Sequence, residues 1–159
     1  MRFALGAVNP EPAVRNDLGV RALDFETEGK SVKSVLIVED EMFIALEIES
    51  ILQEAGFQVI AIASDQMEAL SAGEQAELAF VDLNLRDGAT GPDIARELAT
   101  RYGVRVVYVT ANPAQIGEPA PKAIGCIRKP FTPDAILAAA VLAAQGEGTP
   151  VKHEAIIPV

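Results

Sequence analysis

The sequence is poor in the residue types on which several kinds of site chemistry depend. It has one cysteine, Cys126, one histidine, His153, and no tryptophan. A single thiol excludes an internal disulfide framework, and a single imidazole excludes histidine-rich metal centres and histidine-based catalytic triads. Positive charge is scarce as well: 13 Lys and Arg stand against 23 Asp and Glu, a formal net charge of −10. A surface that tracks nucleic-acid phosphates or docks on anionic lipid needs the opposite sign. No direct nucleic-acid contact and no membrane contact are therefore expected. Long apolar runs are missing too. The longest uncharged stretches, Val106 to Gly117 and Ala135 to Gly146, fall short of the ~18 apolar residues that a bilayer-spanning helix requires. Residues 1–20 lack the basic start and apolar run of a secretory signal, so a cytoplasmic protein is expected.

What is present is apolar bulk. Half of the 159 residues are hydrophobic, too many for a disordered polar chain and enough for one core of ordinary size. The organisation changes near residue 34. Residues 1–33 hold Pro10, Pro12, Gly19 and Gly29 among scattered charges. They read as a flexible extension or, from Val14, Leu18, Ala22 and Phe25 at helical spacing, a short docking helix. From Ser34 short apolar runs alternate with helical stripes. The runs are Ser34–Val38, Phe57–Ala63, Leu78–Val81, Val104–Val109 and Ala123–Ile127. Helices are expected over Ile44 to Ala55, Asp65 to Ala72, around Ile94 and Leu98, and Thr132 to Ala144. Between Asn112 and Lys122, Pro113, Pro119 and Pro121 with Gly117 restrict any fourth helix to something shortened or irregular. Residues 34–145 read as the domain, and 146–159 as a Gly/Pro-bounded C-terminal tail in which His153 has no assigned role.

Nearly continuous apolar runs are the mark of strands buried on both faces, and alternation with helices gives a doubly wound parallel five-stranded α/β sheet. The polar residues gather where the runs end: Glu39 and Asp40 after the first, Asp82 after the third, Thr110 after the fourth, Lys129 after the fifth. Open α/β sheets bind ligands at the carboxyl ends of their strands. In the flavodoxin-like order 2-1-3-4-5, strands one and three are neighbours, and their acidic ends form one pocket. Three carboxylates within ~4–6 Å repel one another unless a cation sits between them. With no imidazole and no second thiol to offer, oxygen ligation suits Mg²⁺. A carboxylate nucleophile, a divalent metal, an amine and a hydroxyl are the parts of a phosphoryl-transfer site. Asp82, alone at its strand end, is the best nucleophile. Glu39 and Asp40 are the best metal ligands, Asn84 can offer its backbone carbonyl, and Thr110 and Lys129 can hold phosphoryl oxygens.

Four fragments in this order, VLIVEDE (Val35–Glu41), FVDLNL (Phe80–Leu85), YVTA (Tyr108–Ala111) and RKPF (Arg128–Phe131), resemble a response-regulator (CheY-like) receiver domain. The stretches DGATGPDIA (Asp87–Ala95), VTANPAQI (Val109–Ile116) and IRKPFTPDAI (Ile127–Ile136) resemble the receiver portion of alphaproteobacterial general-stress regulators of the PhyR type. The resemblance implies a flavodoxin-like (βα)5 fold and a cis Lys129–Pro130 bond. It implies phosphorylation of Asp82 by a sensor histidine kinase, phosphotransfer protein or small acyl phosphate. Glu39, Asp40, Asp82 and the Asn84 carbonyl would bind Mg²⁺, and Thr110 and Lys129 would contact the phosphoryl group. No enzyme activity beyond self-catalysed phosphorylation and dephosphorylation is implied. Output would pass by contact with an unknown protein, or the chain would drain phosphate from a kinase; a homodimer is possible.

Two departures from the family pattern bear on switching. The usual aromatic three residues before the lysine is Cys126, read here as a small buried strand residue, and Tyr108 is the substitute at hand. The proline-rich stretch replaces a regular helix on the usual output face. Two alternatives stand beside the phosphorelay reading: a degenerate receiver that binds partners without phosphorylation, and a small Mg²⁺-dependent phosphatase with an aspartyl-phosphate intermediate. The latter fits poorly with adjacent acids after the first strand. Taken singly, Glu39 and Asp40 would read as an acidic helix start and Lys129 as a solvated surface residue. Their joint placement at four strand ends carries the site.

Overall fold

Five strands lie in one parallel sheet in the order β2-β1-β3-β4-β5. They are β1 (Ser34–Val38), β2 (Gln58–Ala63), β3 (Leu78–Val81), β4 (Arg105–Thr110) and β5 (Gly125–Arg128). This is the flavodoxin-like order expected from the sequence. The computed structural model describes residues 33–146 and 153–159. The N-terminal stretch read as a flexible extension or a short docking helix lies outside the described residues, apart from residue 33.

The helices are α1 (Met42–Glu54), α2 (Gln66–Gly73), α3 (Gly91–Tyr102) and α4 (Pro133–Ala144). Asp65 begins α2 by accepting the Glu68 N–H at 2.9 Å, and Thr132 begins α4 by accepting the Ala135 N–H at 3.3 Å. Such caps satisfy donors that the first helical turn leaves without partners. Where a helix would join β4 to β5, a single 3-10 turn, Pro113–Ile116, stands instead. The prolines of the segment remove the backbone donors that a longer helix would need. β5 begins two residues later than the apolar pattern indicated. Ala123 is still in a turn, with its N–H on the Ala120 carbonyl at 3.2 Å.

Alternation along the strands sorts the core into two layers. Leu36, Val38, Ala79, Val81, Val106, Tyr108 and Cys126 share one buried cluster with Ile94 and Leu98 of α3. Val35, Ile37, Phe80, Val107 and Ile127 are also buried. Being out of phase by one residue, they face the other side, where α1 and α4 pack on each other. None of the helices among the described residues is long and apolar enough to cross a membrane.

Within the stretch read as a Gly/Pro-bounded tail, residues 153–159 meet the sheet. Ile157 forms an antiparallel bridge with Cys126 and Ile156 is buried. His153, given no role from sequence, is half-buried in the turn that delivers these residues, its Nδ1 accepting the Ala155 N–H at 3.2 Å. The reason is an open sheet edge, which favours a further strand wherever one is tethered nearby.

Candidate functional site

Because β1 and β3 are adjacent, their carboxyl ends deliver Glu39, Asp40 and Asp82 to one place, with ligand oxygens all within 4.8 Å of one another. The ladder extends to the site itself: the Asp82 N–H donates to the Val38 carbonyl, and the Glu39 N–H to the Ala63 carbonyl, both at 2.9 Å. Glu39 and Asp82 are buried, whereas Asp40 is exposed at the rim.

Lys129 arrives from the end of β5, positioned by its N–H on the Thr110 carbonyl at 2.9 Å. Its ammonium donates to Glu39 Oε2 at 2.7 Å and to Asp82 Oδ2 at 3.0 Å. The remaining oxygens are held by main chain: Glu39 Oε1 accepts from the Glu41 N–H at 3.0 Å, and Asp82 Oδ1 from the Leu83 N–H at 2.7 Å. Burial pushes the Glu39 carboxyl up to about 7, against the opposing pull of its Lys129 hydrogen bond. Burial pulls the Lys129 ammonium down, but its bond to Glu39 and the charges of Glu39 and Asp82 outweigh that, and its pKa is raised. The clustered carboxylates of Glu39, Asp40 and Asp82 outnumber the one ammonium paired with two of them, leaving a negative pocket of hard oxygen donors, a set that fits a small divalent cation such as Mg²⁺.

Thr110 is buried beside Lys129, and its Oγ1 accepts the Asn112 N–H at 3.0 Å. Asn84 sits exposed two residues past Asp82. Its side-chain amide is not in the carboxylate group; it forms a reciprocal pair with Gln115 of the 3-10 turn, at 3.1 and 2.7 Å. Gln115 has no sequence signal, since a lone glutamine in a loop has no preferred partner. Gly91, within the DGATGPDIA stretch, is a second residue whose place sequence reasoning missed. A Cβ there would stand 2.1 Å from the Asp82 carbonyl oxygen and 2.4 Å from Leu83 Cα, so α3 starts against the backbone that carries Asp82.

Cys126 is the buried strand residue expected, its thiol pushed up to about 11 by burial. Tyr108, the substitute at hand for the missing aromatic, is anchored in this structure. Its ring is fully buried and its hydroxyl accepts the Ala120 N–H at 2.9 Å, which fastens the proline-rich segment to β4.

Residues 35–141 match the family model of the response regulator receiver domain. The chain is 33% identical over 117 residues to the phyllosphere-induced regulator PhyR of Methylorubrum extorquens, covering 70% of this chain and 41% of that protein. It is similar in structure to the receiver domain of PhyR from Erythrobacter litoralis, at 26% identity and a TM-score of 0.67, covering 77% of this chain and 98% of that one. Brucella abortus PhyR gives 29% identity and a TM-score of 0.60, covering 72% and 47%. The chain thus spans less than half the length of the curated relatives it matches. With the fold, the strand order and the family model in agreement, the chain belongs to the response-regulator receiver family.

Proposed function

We propose that this chain is a phosphoryl-accepting receiver in a two-component phosphorelay, with residues 34–145 as the working domain. An Asp82 carboxylate oxygen attacks the phosphorus of a phosphohistidine on a sensor kinase or phosphotransfer protein. The new O–P bond forms as the N–P bond breaks, and the imidazole leaves. Lys129 and the Thr110 hydroxyl hold the oxygens of the transferred group. Glu39, Asp40 and Asp82, with the Asn84 carbonyl, would hold Mg²⁺, which neutralises charge on that group. The observation that carries the reading is the Lys129 ammonium held between two buried carboxylates from neighbouring strands, at 2.7 and 3.0 Å.

A cleft of about 470 Å³ lined by Ile44, Glu47, Ala111, Lys129, Pro130 and Phe131 opens beside this ammonium. Phe43, 90% exposed at the start of α1, adds apolar surface for a donor protein. Output is by protein contact. A Bartonella quintana relative, 28% identical, is described as the anti-anti-sigma factor PhyR, and we propose a protein partner of comparable role, or phosphate drainage from the kinase, in the cytoplasm.

The test is incubation with acetyl phosphate and Mg²⁺, read by intact mass, beside Asp82→Asn. One labile phosphoryl adduct that Asp82→Asn abolishes is expected. No adduct from acetyl phosphate or from histidine kinases would overturn the reading in favour of a phosphorylation-independent binding module. Continuous turnover of unrelated phosphate esters would overturn it in favour of a phosphatase.

A further inference from the structure

β5 is the outermost strand of the sheet, with β4 on one side only. An outer strand presents N–H and C=O groups ready to pair with another strand, and proteins cover or blunt such edges. Here the cover is the chain's own C-terminal segment. The Ile157 N–H donates to the Cys126 carbonyl at 2.8 Å, and the Cys126 N–H donates to the Ile157 carbonyl at 2.8 Å. The preceding turn is closed by the His153 carbonyl, which accepts the Ile156 N–H at 3.0 Å. Ile156 lies over Gly125. A Cβ on that glycine would stand 2.5 Å from Ile156 Cγ2 and 3.0 Å from the Ile157 carbonyl oxygen. The seat exists because position 125 has no side chain.

The seat is also narrow. One residue pair carries both backbone hydrogen bonds, and Ile156 is the one residue of the described segment that is buried. Each such bond contributes only about 1 kcal/mol net. Pairing of this size persists because the tether makes it intramolecular, at an effective concentration of about 1 mM. Local contacts of this kind open while the rest of a sheet stays folded. By strand alternation, Cys126 and Arg128 both direct their peptide groups outward, so the edge continues past the bridge toward Lys129.

We infer that the outer side of β5 is a strand-addition site, closed in cis by residues 153–159 and filled in trans by the same segment of a second copy. The occupant follows from the seat. The Ile156–Ile157 pair already fits the notch at Gly125, and every copy carries it. Exchange of identical elements between copies needs no new contact. Pro158 has no N–H to offer beyond the bridge, so the added strand does not template a third. The exchange closes on two copies. None of this depends on phosphoryl chemistry at Asp82.

The test uses the full chain and its Ile157→Pro variant, which loses the donor to Cys126. Amide exchange at Cys126 is expected to quicken at least about tenfold in the variant, with the urea midpoint of the sheet little changed. A synthetic peptide of residues 152–159, added at about 1 mM, restores protection. The same peptide carrying Ile157→Pro does not. In sedimentation equilibrium, wild-type chain at about 1 mM shows a rapidly reversible dimer that disappears on dilution and that Ile157→Pro lacks. Unchanged Cys126 exchange in the variant overturns the cis closure. An opened edge that the peptide fails to protect, or wild type that stays monomeric, overturns strand addition. Should Ile157→Pro not fold, Ile156→Ala keeps both backbone bonds and shrinks the seat, and equal exchange in that variant overturns the inference too.

Discussion

Lys129 donates to Glu39 at 2.7 Å across a sequence separation of 90 residues. The pair lies at the base of the pocket, with side-chain exposures of 15% and 2%. Lys129→Met therefore strands two buried carboxylates without a cation. The metal-free variant should lose about 3 kcal/mol of unfolding free energy at about pH 8, the scale expected when one partner of a buried ion pair is removed. Mg²⁺ should return part of that loss. Urea denaturation with and without Mg²⁺ measures both.

Glu39 also sets a pH dependence. Its carboxyl is pushed from 4.5 up to about 7, chiefly by burial. Between those values the folded chain holds a proton that the unfolded chain has released, so folding takes up protons there and stability falls with rising pH. The contribution is complete below about 4.5 and is lost as pH passes through about 7. In EDTA the urea midpoint should decline from about pH 5 to about pH 8, and Glu39→Gln should flatten the decline. A midpoint that rises over that range in wild type would contradict the assignment.

Gly91→Ala tests how closely α3 is seated on the backbone that carries Asp82. The added methyl would collide with main chain, not with a flexible side chain. A loss of roughly 1–3 kcal/mol is expected from overpacking, together with slower adduct formation from acetyl phosphate. Gly91→Ala with full stability and unchanged phosphorylation would show that α3 moves away freely.

Tyr108→Phe removes one oxygen from a dry position. The Ala120 N–H then has no acceptor in a buried setting, and an orphaned group of this kind costs about 1–3 kcal/mol. Hydrogen exchange should quicken at Ala120 and its neighbours ahead of the sheet.

Much of this molecule was legible in the chain, for identifiable reasons. Ser34–Val38 and Leu78–Val81 fall on the strands to the residue, because strands buried on both faces are uniformly apolar and end abruptly at charge. Glu39, Asp40, Asp82 and Lys129 could be brought to one place because strand ends in this topology converge. The Asn84–Gln115 pair could not, since exposed amides pair by proximity that only the fold reveals. The strand at the C-terminus was hidden as well. Its segment is too short to show a period, and its reason for pairing is the edge of another strand.

The loop after Asp82 is fastened unevenly. On the α2 side, Asp87 accepts the Gln66 N–H at 3.0 Å and the Thr90 hydroxyl at 2.7 Å, and Arg86 is paired with Asp65. On the opposite side the link is the exposed Asn84–Gln115 pair, leading to one short turn. A shove delivered at Asp82 thus meets a braced wall one way and a hinged door the other. On the proposed phosphorylation of Asp82, the larger displacement is therefore expected on the Pro113–Ile116 side, where the exposed Asn84–Gln115 pair is the link.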